Sequence, residues 1–172
     1  MKMKKAVYLL IAPLLLIGAL AFTNSNPKPK VVTEKSAALK IWEATPEGIK
    51  FKKWELSPAG KKVYASEAKI RKSLREFTKI EAEVTSLSLP AGSRLGFGVM
   101  IRIKGDDYIL SFGPNLNNEF EQLKRLKVND RISIKSHGVS HAPKYAYPII
   151  GGDYVERGSE ILYKRKPRKG GC

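Results

Sequence analysis

The stretch from Phe97 to Phe112, FGVMIRIKGDDYILSF, decides the fold of this chain. Apolar side chains recur at every second position from Phe97 to Ile103, which is the period of a half-buried strand. Gly105 and the two aspartates after it form a tight turn, and apolar residues return from Tyr108 to Phe112. The stretch therefore predicts an antiparallel hairpin, and with it a β-rich domain.

Further strands with the same two-residue period flank this hairpin. Ile80–Thr85 alternates before it, Arg131–Lys135 and Tyr145–Ile149 alternate after it, and Ile161–Tyr163 closes the sheet. Between the hairpin and Arg131, Asn117 or Asn118 can cap a short helix that runs to Lys127. The sequence therefore predicts three strands, a short helix and further strands.

Residues 39–54 are predicted to form a second hairpin. Leu39–Trp42 and Ile49–Trp54 resemble two short strands on either side of Thr45–Gly48, which reads Thr-Pro-Glu-Gly. Proline followed closely by glycine is typical of a turn, and this favours the hairpin. Leu56–Lys61 makes a second turn, and no internal repeat is evident in the chain.

One amphipathic helix of about three turns follows the second turn. Ser66 can cap its start, and Ile70, Leu74 and Phe77 fall on a single apolar stripe. Lysines and arginines occupy the other faces. Residues 39–77 are therefore predicted to be a hairpin plus an amphipathic helix.

The order of elements from residue 78 onward resembles the OB-fold, a five-stranded Greek-key barrel with a helix between its third and fourth strands. The region is similar to the small exported OB-fold domains of bacteria. The residues that carry the resemblance, within 78–163, are Lys79–Leu87, Phe97–Lys104, Tyr108–Phe112, Asn117–Lys127 and Arg131–Gly138. We therefore expect a mainly β chain with two short helices, a β-rich α+β fold. An OB-like barrel is preferred over an open antiparallel α+β sheet.

The first 22 residues predict export. Lys2, Lys4 and Lys5 precede 17 uncharged residues, Ala6–Phe22, and basic residues before an apolar run stay on the cytoplasmic side of the membrane. The run is intermediate in length between a signal peptide and a spanning helix. The segment is therefore either cleaved after Ala21, which releases the domain to the periplasm, or retained as an outward-facing anchor in the cytoplasmic membrane. Retention is preferred.

The remaining segments complete the predicted organisation. Residues 1–22 are the signal or anchor, 23–38 a flexible linker, 39–77 the hairpin and helix, 78–163 the barrel, and 164–172 a basic disordered tail. Cys172 is the only cysteine, so the fold has no internal disulfide.

The net charge of +16, from 32 basic and 16 acidic residues, indicates an anionic partner. A basic OB-fold with surface aromatics can bind single-stranded nucleic acid through phosphate contacts and base stacking, although the same aromatics can instead fill the core. The candidate ligand-binding residues are Arg94, Arg102, Lys104, Tyr108, Lys135, Tyr145 and Tyr147. Because an exported domain meets lipid headgroups and envelope polysaccharide, an anionic envelope component or a protein partner is the preferred ligand. Single-stranded nucleic acid is the alternative.

No arrangement of residues in the sequence indicates catalysis. His137 and His141 are four residues apart, but glycine and proline place them in a loop, and no third metal ligand lies nearby. Asp106 and Asp107 fall in a hairpin turn, where aspartate stabilises the turn itself. We therefore predict no catalytic, cofactor-binding or metal-binding residue, and a binding or scaffold module rather than an enzyme.

Overall fold

The computed structural model describes residues 30–114 and 120–166, with side chains from Ser36 onward. The predicted signal or anchor, residues 1–22, and the last six residues of the predicted tail lie outside these ranges. The chain divides into two units, residues 1–38 and 39–172, and the sheet, helices α2 and α3 and the cleft all belong to the second. No helix in the described part of the chain is long and apolar enough to cross a membrane.

Helices occupy the first part of the described chain and strands the second. The helices are α1 (Lys30–Glu43), α2 (Pro46–Leu56) and α3 (Pro58–Glu76), with a 3₁₀ turn at Leu123–Arg125. The strands are β1 (Ile80–Ser86), β2 (Phe97–Ile103), β3 (Asp106–Gly113), β4 (Arg131–Lys135), β5 (Val139–Ser140), β6 (Ile149–Gly151), β7 (Tyr154–Arg157) and β8 (Glu160–Lys164). The predicted β-rich α+β fold is therefore confirmed, with more helix than expected.

The strands form one mixed sheet in the order β5-β6-β3-β2-β1-β4-β7-β8. Strands β1, β2 and β3 pair antiparallel in sequence, and β4 then lies beside β1, which is the Greek-key order. Strand β6 runs parallel to β3, and the other neighbours are antiparallel. Because β5 and β8 end the sheet, the strand pairing does not show the predicted closed five-stranded barrel.

Gly152 joins β6, which pairs with β3 near one end of the sheet, to β7, which pairs with β4 near the other end. Its N–H donates to the carbonyl of Ser111 in β3 at 2.8 Å, whereas the next N–H, of Asp153, donates to Lys135 in β4 at 3.1 Å. A Cβ on Gly152 would lie 2.3 Å from a ring carbon of Phe112, so the close approach requires glycine. The chain changes neighbours at this residue, and β6 and β7 are both short in consequence. Of the predicted strand Tyr145–Ile149, Ile149 alone belongs to a strand, as the first residue of β6.

Helix α3 packs on the sheet and covers the main core. Ile70 and Leu74 are buried with the apolar side chains of the strands, so the predicted stripe is confirmed at these two positions. The hydroxyl of Tyr108 in β3 donates to the carbonyl of Ser66 at 2.6 Å and ties the helix to the sheet. The predicted start at Ser66 is wrong, because Ser66 is buried in the middle of the helix. Phe77 follows the helix as its left-handed cap, at φ +50°.

The predicted hairpin at residues 39–54 is wrong, since its two strands are parts of α1 and α2. Its turn residues act as a helix cap instead. The Thr45 hydroxyl accepts a hydrogen bond from the N–H of Gly48 at 3.1 Å and donates to the carbonyl of Trp42 at 2.7 Å. Pro46 takes the first helical position, where its missing N–H costs nothing. Part of the predicted linker is also helical, because α1 begins at Lys30.

The same cap recurs twelve residues later, between α2 and α3. Ser57 accepts from the N–H of Gly60 at 3.2 Å and donates to the carbonyl of Trp54 at 2.6 Å. The sequence Trp-Glu-x-Ser/Thr-Pro-x-Gly therefore occurs at 42–48 and again at 54–60. The expectation that the chain contains no internal repeat is wrong for this segment.

Candidate anion-binding cleft

A cleft of about 1000 Å³ lies beside the connection from β6 to β7. It is lined by the end of α3, by β4 and the loop after it, and by residues on both sides of Gly152. The free strands at the two ends of the sheet, β5 and β8, both contribute to its walls. The cleft thus collects side chains from elements that are distant in sequence.

Three rings and a lysine line one part of the cleft. The ring of Phe77 stacks on the imidazole of His137, with 3.8 Å between centroids and 19° between planes. The Lys135 ammonium lies 5.4 Å from the Phe77 centroid and 5.8 Å from that of Tyr154. Both distances are within the range of a cation–π interaction. The rings therefore hold the Lys135 charge at the cleft surface without neutralising it.

Asp153 is the acidic residue that lines the cleft, and it links two of its walls. One carboxylate oxygen accepts from the backbone N–H of His137 at 2.9 Å and lies 3.0 Å from Nδ1 of the same residue. The other lies 2.7 Å from Nε of Arg165, which also donates to the carbonyl of Gly152 at 3.0 Å. The charge of Asp153 is therefore balanced by Arg165.

A second carboxylate next to the cleft is balanced in the same way. Lys79 pairs with Glu156, and the hydroxyl of Tyr154 donates to the other oxygen of that carboxylate. The hydrogen bond from Lys79, and after it that from Tyr154, lowers the pKa of Glu156. The charge of Glu156 is thus balanced by Lys79, and Glu156 does not neutralise the other lysines of the cleft.

Lys135, Lys164 and Lys166 are the cleft cations that have no carboxylate partner in the described part of the chain. The sequence continues past Lys166 with Pro167, Arg168 and Lys169. Unneutralised cations can bind phosphate, sulfate or carboxylate groups, and an exposed ring such as that of His137 can stack on a flat ring of a ligand. The arrangement has the chemical groups that an anion-binding site requires.

Of the seven candidate residues from the sequence, Lys135 alone lines this cleft. The structure places Tyr108 in the core with no exposed surface. Tyr145 is also buried, and its hydroxyl donates to Ser93 at 3.0 Å. Tyr147 is half-buried and packs with Tyr145 in a second apolar cluster that also contains Met100 and Ile109. The predicted aromatics therefore serve mainly in packing.

The other predicted cations lie apart from one another. Arg102 forms an ion pair with Asp107 at 2.9 Å, and Lys104 donates to the carbonyl of Lys69 at 3.3 Å. Arg94 is exposed in the loop between β1 and β2. The structure does not bring these three side chains into the cleft.

Sequence reasoning missed Phe77, His137 and Tyr154 as site residues. Phe77 continues an apolar stripe and was therefore assigned to the helix core. A usable signal is that the residue after the last helical turn is a phenylalanine, since that position favours glycine or asparagine. The run Lys164–Lys166 was recognised as basic but was assigned to a disordered tail.

The two histidines, His137 before β5 and His141 after it, contact different carboxylates and do not face a common ligand. His137 contacts Asp153, whereas Nε2 of His141 lies 2.8 Å from a carboxylate oxygen of Glu67, and its ring packs on Tyr64 with 4.5 Å between centroids. Within residues 30–114 and 120–166, no group of three or more His, Cys, Asp or Glu side chains is arranged to hold a metal ion.

No protein-family model, curated protein or solved structure matches this chain.

Proposed function

We propose that this protein is a non-enzymatic binding module that holds an anionic polymer in the cleft. The observation that carries the proposal is the Lys135 ammonium, held between the rings of Phe77 and Tyr154 beside two further unpaired lysines. A polymer with regularly spaced anionic groups can contact all three lysines at once. Each contact releases a bound counterion, so the affinity falls as salt rises.

The strand order supports an OB-like origin for this site. The order β4-β1-β2-β3 is a Greek key, and OB-folds bind oligonucleotides and oligosaccharides with a sheet face and the loops beside it. Here the loop between β4 and β6 supplies His137 and Gly138 to the cleft. We propose that the domain is a variant of this fold in which Gly152 divides the final strand in two.

We propose that the module works outside the cytoplasm, either anchored by residues 6–22 or released by cleavage after Ala21. The support is the uncharged run behind three lysines. In that compartment an acidic envelope polysaccharide is the preferred ligand. A C-terminal reporter that is active only outside the cytoplasm is expected to be active, and an inactive reporter would contradict this placement.

Single-stranded nucleic acid is the second candidate, and the flat stack of Phe77 on His137 favours it. The His137 side chain is 71% exposed, so the face of its imidazole that points away from Phe77 can stack on a base. Base–aromatic stacking contributes about 1–3 kcal/mol per base, and it is available to a nucleic acid but not to an aliphatic uronic acid chain.

The two candidates are separated by titrating the full chain, in detergent micelles, with polygalacturonate and with oligothymidylate. We expect saturable binding of at least one probe, and weaker binding by K135Q than by K124Q. Lys124 is a matched control because it is exposed, pairs with Glu121 and lies outside the cleft. Equal losses in the two variants, or no binding of either probe, would overturn the proposal.

A further inference from the structure

Helices α1 and α2 expose an unusual amount of apolar surface. Of the eight large hydrophobic side chains that are exposed in the described part of the chain, five lie within the 18 residues from 39 to 56. Two of them, Ile41 and Leu56, are 72% and 74% exposed. We call this set the helical apolar surface, and it consists of Leu39, Ile41, Trp42, Ile49 and Leu56.

Other apolar residues of the same helices are used for packing, so the exposed set is not a general feature of the segment. Phe51 packs against Trp42 with 5.6 Å between ring centroids, and Trp54 packs against Tyr64 with 6.1 Å. Ile49 and Leu56 are seven residues apart in α2 and therefore lie on one face of the helix. Neither residue takes part in these aromatic contacts, and both side chains are exposed to solvent.

The segment that carries this surface also carries unpaired lysines. Lys53 lies on the face of α2 that carries Ile49 and Leu56, four residues after the first and three before the second. Of the four lysines between residues 39 and 56, Lys52 pairs with Glu43 and Glu55, whereas the other three, Lys40, Lys50 and Lys53, form no ion pair within the described part of the chain. Because a second copy would bring like charges together, self-association is disfavoured, and an anionic surface is the complementary partner.

We propose that the helical apolar surface docks on an anionic lipid bilayer. The apolar side chains enter the headgroup region while the lysines contact lipid phosphates, as in interfacial helices. Trp42, which is 40% exposed, is of the residue type that concentrates at this depth. The position in the chain fits, since only seven residues, 23–29, separate the uncharged run from α1. Fully extended, they span at most about 25 Å.

The test uses the two tryptophans of the chain as depth reporters. The full chain carrying W54F, with Trp42 as its only tryptophan, is reconstituted into phosphatidylglycerol vesicles whose acyl chains are brominated near the headgroups. We expect Trp42 emission to shift to shorter wavelength and to be quenched by the bromines. The quenching should be weaker in phosphatidylcholine vesicles, which lack net charge.

Two variants control the test. I49S/L56S, made in the W54F chain, should lose most of the quenching while its circular dichroism and Tm stay unchanged, because both side chains are exposed. K135Q, in the cleft, should leave the quenching as it is, so failure of this inference is distinguishable from failure of the proposed function. Unquenched Trp42 in anionic vesicles, equal quenching in neutral ones, or quenching that survives I49S/L56S would overturn the proposal. A blue shift that depends on protein concentration without lipid would overturn it in favour of a second copy.

Discussion

The ring of Phe77 lies against the imidazole of His137 with 3.8 Å between centroids, and the backbone that presents this ring is left-handed, at φ +50°. For an ordinary L-residue the left-handed conformation costs about 1–2 kcal/mol, and helices usually place glycine there. The side chain is therefore kept in the cleft at a cost to the backbone. Strain of this kind tends to accumulate at functional sites.

Replacing Phe77 by glycine should weaken ligand binding while leaving the free energy of unfolding nearly unchanged. The glycine relieves about 1–2 kcal/mol of backbone strain, which offsets the lost ring packing, so the free energy of unfolding should change by no more than about 1 kcal/mol. If the ligand is nucleic acid, affinity should fall by about 1–3 kcal/mol because the ring that holds the exposed imidazole of His137 in the stack is lost. Urea unfolding and fluorescence anisotropy with labelled oligothymidylate measure the two effects.

Lys104→Gly is the matched control for this variant, because Lys104 is also left-handed, at φ +49°, but lies outside the cleft. It should relieve backbone strain and leave oligothymidylate affinity unchanged. If Phe77→Gly bound oligothymidylate as tightly as Lys104→Gly does, Phe77 would have no part in holding that ligand.

Alanine at Gly48 or Gly60 should destabilise the protein, although alanine normally favours a helix by about 1 kcal/mol. The new Cβ would lie 2.1 Å from the carbonyl oxygen of Trp42 or 2.2 Å from that of Trp54. The helix junctions would have to open, and we expect a loss of about 1–3 kcal/mol in each variant. Gly138→Ala, where a Cβ meets nothing within 4 Å, is the control in the same thermal melts. A rise in Tm for G48A or G60A would contradict the repeated cap.

Tyr108→Phe should remove about 1 kcal/mol of stability, because its hydroxyl donates to the Ser66 carbonyl inside the core. Burial raises the pKa of Tyr108 to about 12. The ordinary value, which applies to the unfolded chain, is about 10. The raised pKa therefore stabilises the fold fully below pH 10, and this stability is lost as pH rises from about 10 to about 12. In Tyr108→Phe the alkaline decline should be shallower. The rise in tyrosinate absorbance near pH 12 should lose amplitude without disappearing, because the pKa of Tyr64 is also raised to about 12. An unchanged titration would contradict the buried position of Tyr108.

The ion pair between Lys69 and Asp106 should make the free energy of unfolding depend on pH in the acid range. Lys69 Nζ lies 2.7 Å from the Asp106 carboxylate, and this hydrogen bond, followed by one from Ser66, lowers the pKa of Asp106. The ordinary pKa of about 3.9 applies to the unfolded chain, so the stabilisation is present above pH 4 and is lost as pH falls through the lower folded value. Asp106→Asn should cost about 0.5 kcal/mol at pH 7 and progressively less below pH 4, as urea titrations can measure. A cost that stays constant down to acid unfolding would show that the pair does not stabilise the fold.

The central strands of the sheet could be predicted from the sequence, whereas helices α1 and α2 could not, and each outcome has a physical reason. Strands β1 and β4 alternate between buried and more exposed positions, so their period is visible in the sequence. Strands β2 and β3 are buried on both faces along part of their length, and their apolar runs on either side of Gly105 indicate the hairpin. Thr-Pro-Glu-Gly at 45–48 suits a turn and a helix cap equally, because both need a side-chain acceptor and a fixed proline φ. Which one forms is decided by the Trp42 carbonyl and the contact of Phe51 with Trp42, and neither is visible in the local pattern.

The candidate site was less predictable than the fold. Lys135 was found because it stands out as a cation in an alternating strand. Phe77, Tyr154 and Lys164 come together with it only through the Greek-key return of β4 and the change of neighbours at Gly152. Residue types and local spacing carry little information about contacts between residues that are far apart in the sequence.

The most direct test of the central claim is the salt dependence of ligand binding. In the full chain, K135Q/K164Q/K166Q removes the three unpaired cations of the cleft, and K124Q/K127Q/K50Q removes three exposed cations outside it. Each phosphate contact on a single strand contributes about 0.7 to the slope of log affinity against log salt, so for oligothymidylate the cleft variant should lose about 2 from this slope. The control variant should keep the slope of the unmodified chain. Equal slopes in the cleft and control variants would contradict the assignment of this cleft as the anion-binding site.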